Sequence, residues 1–153
     1  MTPPALETSR LLLRGFQLSD FEAYAALWAD PDVVAFIGAP QSEEDAWLRF
    51  HTNGGYWSFH GLGFWMVVER ETGEPIGQVG FMRNRRAMQP DISGYIEAGW
   101  AMLPGAQGRG FASEALTAAL DWVDAAVNHP EIACIIHPEN APSLRLAEQS
   151  GFR

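Results

Sequence analysis

Two-thirds of the way along the chain, glycines at positions 105, 108 and 110 separate a β-rich run from a helical one, and no other stretch limits the fold as much. Downstream, Phe111, Ala112, Ala115, Leu116, Ala119, Leu120 and Val123 recur at steps of three and four, one apolar face of a helix ending near Val127. Upstream, Ile92 to Leu103 reads as a long strand. A strand that hands over directly to an amphipathic helix must bury that helix against its own sheet. The glycines also let backbone amides point into a concavity without Cβ obstruction, and the helix N-terminus behind them completes a seat for a phosphate or pyrophosphate. Taken alone, they serve a tight strand-to-helix turn equally well. The Rossmann fingerprint needs a third glycine and sits in the first βαβ unit, so this turn argues against dinucleotide binding.

The remaining pattern predicts a strand at Leu11 to Leu13 and a helix from Ser19 to about Ala29, with Glu22 placed for a capping box. A short helical turn is expected after Asp30-Pro31. A further helix should begin after Ser42, where Glu43, Glu44 and Asp45 meet the positive end of the dipole, and give way to a loop at Asn53-Gly54-Gly55. Phe64 to Glu69 and Pro75 to Met82 form a hairpin. Ile132 to Ile136 reads as a short buried strand, and Pro142 to Gln149 as a last helix closed by Gly151. The order favours a mixed α/β sheet with helices on both faces, in one domain.

The 153 residues, 47% hydrophobic and 12% aromatic, describe a chain that folds. All ten basic residues are arginine. The absence of lysine excludes Schiff-base and pyridoxal phosphate chemistry and the phosphate loop that ends in Gly-Lys-Ser/Thr. A net charge of −9 and a pI near 4.8 argue against nucleic-acid binding. No apolar run approaches the length of a membrane span, and a soluble, cytoplasmic protein is the expectation. Cys134, flanked by isoleucines and alanine, reads as a buried structural thiol. His51, His60, His129 and His137 show no metal-ligand spacing, so no metal is expected.

Gln107-Gly108-Arg109-Gly110-Phe111-Ala112 resembles the Gln/Arg-x-x-Gly-x-Gly/Ala pyrophosphate loop of the GNAT superfamily of acetyl-CoA-dependent N-acetyltransferases. The resemblance extends to Thr8 through Arg14, to Gly99-Trp100-Ala101-Met102-Leu103-Pro104, to Asn140-Ala141-Pro142-Ser143 and to Gln149-Ser150-Gly151-Phe152. Together these look like the RimJ/RimL-type branch, which includes ribosomal-protein N-terminal acetyltransferases. The implied fold is a GNAT-like mixed sheet, residues 1–153, whose central strands splay to form the acetyl-CoA cleft.

The resemblance implies that Gln107, Gly108, Arg109, Gly110, Phe111 and Ala112 hold the CoA pyrophosphate, with a hydroxyl from Ser113. Main-chain groups at Met102 and Leu103 would pair with pantetheine, and Asn140 would contact it. Ser143 would donate to the departing thiolate, or else serve the helix start. Glu97 is the candidate general base, or else an ion-paired strand glutamate. Arg83, Arg85 and Arg86 form either a solvated loop or a contact for the CoA 3′-phosphate or an acidic acceptor, while Trp57 and Phe59 are candidates for an acceptor pocket. The implied reaction is acetyl transfer to a primary amine, on a peptide or protein N-terminus or a small molecule, by direct attack in a ternary complex. The alternative is a non-catalytic acyl-CoA sensor. The family's domain normally runs on for a strand or two past its Gly-Phe motif, so a final strand is expected to be missing or supplied by a partner, compatible with a homodimer.

Overall fold

The computed structural model describes residues 2–153. Six strands lie side by side in chain order: β1 (Leu6–Glu7), β2 (Leu11–Arg14), β3 (Phe64–Glu69), β4 (Pro75–Met82), β5 (Ile96–Met102) and β6 (Ile132–Ala133). The first five pair antiparallel, whereas β6 runs parallel to β5. A parallel neighbour requires a crossover, and α4 (Phe111–Ala126) supplies it. The other helices are α1 (Phe21–Ala29), α2 (Pro31–Val34), α3 (Glu43–His60) and α5 (Ala141–Gln149).

Helices cover both faces of the sheet. Strand β3 shows the division, because Trp65 and Val67 join the cluster under Phe111, Ala115, Leu116, Ala119 and Val123 of α4, whereas Met66 joins Tyr24, Leu27, Ala46 and Phe50 of α1 and α3. Every residue of β3 is buried, as a strand covered on both faces requires.

The hairpin strands fall where the alternation places them, but four element boundaries differ from the expectation. Leu18–Asp20 is a 3-10 turn and α1 starts only at Phe21. Ser19 does not cap it; instead Asp20, almost fully buried, accepts from Gln17 N–H at 2.8 Å and from both terminal nitrogens of Arg14 at 2.8 and 2.9 Å. Helix α3 does not stop at Asn53-Gly54-Gly55 but continues to His60, with Ser42 Oγ accepting from Asp45 N–H at its start. Tertiary contacts override the two glycines. Asn53 donates to the buried Tyr24 hydroxyl at 2.9 Å, Trp57 is fully buried, and Gly61 in the left-handed region (φ 66°) ends the helix. Strand β5 begins at Ile96, because Asp91 turns the chain before it by accepting from Ser93 N–H. Strand β6 is only two residues long. Its register, Ile96 opposite Ile132 and Glu97 opposite Ala133, ends there, while β5 runs on to Met102.

Candidate active site

Where β6 stops, the sheet opens into a cleft. Leu103 N–H donates to Ile76 O at 2.8 Å, so alternate residues of β5 point their backbone groups at β4. By that alternation, Ala98, Trp100 and Met102 direct theirs to the side that β6 has left. Met102 O accepts from Gln107 Nε2 at 3.0 Å, and Leu103 O accepts from Ala106 N–H. Of the two residues named for main-chain contacts, Leu103 therefore has both groups committed inside the protein, whereas the Met102 amide faces the cleft. Buried backbone groups require partners, and a strand edge of this kind offers them to an extended ligand.

One end of the cleft is the glycine loop. Gly108 and Gly110 have φ of 74° and 79°, the left-handed region that side chains resist. The first intrahelical bond of α4 runs from Glu114 N–H to Gly110 O at 3.1 Å, so the amides of Phe111, Ala112 and Ser113 precede it and have no helical partner. Gln107, Gly108, Gly110, Phe111, Ala112 and Ser113 line a cavity of about 450 Å³ with Met102, Asn140 and Ser143. The Arg109 side chain turns away. It pairs with Glu69 Oε2 at 3.1 Å and lies 4.5 Å over the Phe111 ring, opposite in role to the phosphate contact expected of its charge. Arg10 braces the loop from the same side: it donates to Arg109 O at 2.8 Å and to Glu114 Oε1 at 2.8 Å. The glycine loop thus contributes backbone amides and a helix dipole, and the one arginine that lines the same cavity is Arg145 of α5.

A second cavity, also about 450 Å³, continues the cleft past β5 and shares Phe36, Ile37, Trp100, Asn140 and Ser143 with the first. Ser143 sits at this junction. Its backbone amide donates to Asn140 Oδ1 at 3.3 Å, so Asn140 is the cap of α5 and Ser143 is not. Its Oγ accepts from Trp100 Nε1 at 3.3 Å, which leaves the hydroxyl proton to donate into the cleft.

Glu97 lines the second cavity, but its carboxylate is engaged on both oxygens. Arg86 donates to Oε1 at 2.6 Å and to Oε2 at 2.9 Å, and Asn84 donates to Oε2 at 2.8 Å. Burial alone would raise its pKa, but the bonds from Arg86 and Asn84 and the Arg86 charge outweigh burial and hold it below the ordinary glutamate value. Glu97 is therefore an ionised ion-pair member. Arg86, expected with Arg83 and Arg85 in one basic run, is the member that does structural work at the cavity; a run of charges in a sequence says nothing about which of them finds a strand carboxylate.

Trp57 and Phe59 do not line the cleft. Trp57 is core, donating its indole N–H to Phe64 O at 2.8 Å, and Phe59 projects into solvent. The aromatic lining comes instead from Trp28, Phe36, Phe64 and Trp100. Cys134 is half-buried and also lines the second cavity, with burial, and then the Glu97 charge, raising its pKa. Among the described residues, no three His, Cys, Asp or Glu side chains are arranged to hold a metal ion, and no helix is long and apolar enough to cross a membrane.

Comparison with known proteins places this cleft in a family. Residues 10–153 match the model of the acetyltransferase (GNAT) domain. The uncharacterized N-acetyltransferase YoaA of Bacillus subtilis (strain 168) is 30% identical over 157 residues, covering 98% of this chain and 83% of its own. A putative GnaT-family acetyltransferase from Bordetella pertussis superposes with a TM-score of 0.86 at 34% identity, over 98% of this chain and 89% of that one. RimL, a ribosomal L7/L12 α-N-protein acetyltransferase solved in complex with coenzyme A, shares the fold at 17% identity, with a TM-score of 0.77 over 97% of this chain and 83% of its own. The chain belongs to the GNAT family and is an N-acetyltransferase.

Proposed function

We propose that this single domain uses acetyl-CoA as donor and transfers its acetyl group directly to a primary amine bound beside it. The supporting observation is the continuity of the cleft: an amide-built anion seat at 108–113, an open strand edge, Ser143 at the junction, and a second cavity beyond. A pyrophosphate suits a loop that offers the free amides of Phe111, Ala112 and Ser113 beside Arg145 and whose left-handed glycines keep it unobstructed. The pantetheine arm suits the backbone of Ala98, Trp100 and the Met102 amide, which an added strand would satisfy. Asn140 fixes the turn that presents Ser143 and contributes to the wall that the arm passes.

Acetyl-CoA supplies a thioester whose thiol, with an intrinsic pKa near ~8.5, leaves readily once attacked. The protein then has to position a neutral amine, donate a hydrogen bond to the departing sulfur and exclude water. Ser143 is the donor in this reading, since Trp100 occupies its acceptor side. Glu97, ionised and doubly paired, orients Arg86 and the cavity wall, and the amine proton passes to solvent water. Because chemistry occurs in one ternary complex, initial rates at varied acetyl-CoA and amine should give intersecting double-reciprocal lines. Parallel lines would indicate a covalent acetyl-enzyme and contradict this reading.

A further inference from the structure

The second cavity holds three polar groups that the protein itself leaves unpaired. Trp28 is 2% exposed and its Nε1 has no partner; Gln78 is 3% exposed and its Oε1 has none; the Arg49 Nε is likewise buried and unpartnered. All three residues line this one cavity. The Arg49 guanidinium lies 3.9 Å over the Trp28 ring, held in place by stacking, and among the described residues it forms no ion pair. The Tyr24 hydroxyl lies close to both Trp28 and Arg49 but does not balance the charge, because burial outweighs the effect of these neighbours and pushes the phenol up to about 12, where it stays neutral. The only carboxylate in the lining, Glu97, is spent on Arg86. In a chain of net charge −9, two guanidiniums thus face one carboxylate here, and the cavity is locally positive.

Buried polar groups without partners mark where a ligand's complementary groups belong. Arg49 and Trp28, stacked on each other, offer N–H donors in the lining of one cavity, and a guanidinium without an ion-pair partner is a group that receives a carboxylate. Gln78 Oε1 offers an acceptor for an amine N–H in the same space. Resting on the acetyl-transfer reading above, we infer that the acceptor is a primary amine that itself carries a carboxylate, an amino-acid-type molecule whose carboxylate sits on Arg49 and Trp28. A simple cationic amine or a basic peptide, which the acidic net charge alone would favour, meets an unbalanced guanidinium here.

The test uses a panel of amino acids, each compared with its methyl ester and its decarboxylated amine, with thiol release from acetyl-CoA as the readout. The free acids should exceed both neutralised forms at least tenfold in kcat/KM. Arg49→Gln should compress that ratio to within about twofold, and Arg49→Lys should restore part of it. Trp28→Phe, which keeps the ring and removes the N–H, should lower it severalfold. Calorimetry of the free acids against protein saturated with CoA gives a readout independent of turnover: binding should depend on Arg49 while CoA affinity does not. A tripeptide with an acidic second residue, if preferred with the same Arg49 dependence, assigns the carboxylate to a peptide side chain. Esters or amines accepted as well as the acids, or an Arg49→Gln loss equal for all three, would overturn the inference. Arg49-dependent binding without any thiol release would leave it standing and remove the acetyl-transfer reading instead.

Discussion

Ser143 owes its geometry to neighbours on both sides: Asn140 takes its backbone amide, and the Trp100 indole fills one lone pair of its hydroxyl. If its remaining proton goes to the leaving thiolate, Ser143→Ala should lower kcat about tenfold or more, within the range of lost proton donors, and leave CoA affinity within about twofold. Equal kcat would return Ser143 to a packing role. Glu97 makes a different prediction. Its folded pKa lies below the unfolded value, so its contribution to stability is present above the unfolded value of ~4.3 and is lost as pH falls through the folded one. The melting temperature of the wild type should therefore exceed that of Glu97→Gln by a constant margin above about pH 5, and the margin should shrink below about pH 4. Because Glu97 stays ionised near neutrality, it contributes no limb to a pH–rate profile there.

At the scale of elements, the strand–loop–helix unit from β5 to α4 was legible because two periodicities meet at glycines whose left-handed φ no other residue adopts easily. Gly108 makes the seat directly testable. A Cβ there meets nothing, so Gly108→Glu costs only its left-handed backbone, about 1–2 kcal/mol, while placing a carboxylate among the amides. CoA affinity should fall at least tenfold with a melting point lowered by only a few degrees, as titration calorimetry and thermal unfolding would show. The second half of α3 was not legible, because its persistence through Gly54-Gly55 depends on Asn53 reaching Tyr24 and Trp57 reaching Phe64 O. Nor was the direction of Arg109, which Glu69, forty residues away in the chain, decides. Spacing reports which residues share a face; it does not report which distant partner claims a side chain.

Across the whole molecule, the mixed sheet with helices on both faces follows from the patterns, whereas the strand order and the two-residue β1 do not, and the family resemblance carried by the glycine loop and the motifs around it agrees with the match over residues 10–153. The acceptor end was the least readable part. The unpaired Trp28, Arg49 and Gln78 come from α1, α3 and β4, and only the fold gathers them. The absence of lysine also takes on a sharper meaning: an anion seat here rests on backbone amides beside Arg145, with Arg109 turned away, and no side chain of this protein is an acetylation target of the lysine kind. The central claim, that the continuous cleft joins acetyl-CoA to an amine, is tested most directly by quantifying thiol release together with the mass of the acceptor. The account predicts one acetyl group gained by the amine for each thiol released, with both falling together in Gly108→Glu at acetyl-CoA concentrations that do not saturate it. Tight CoA binding with neither thiol nor acetylated product, for any amine offered, would contradict it.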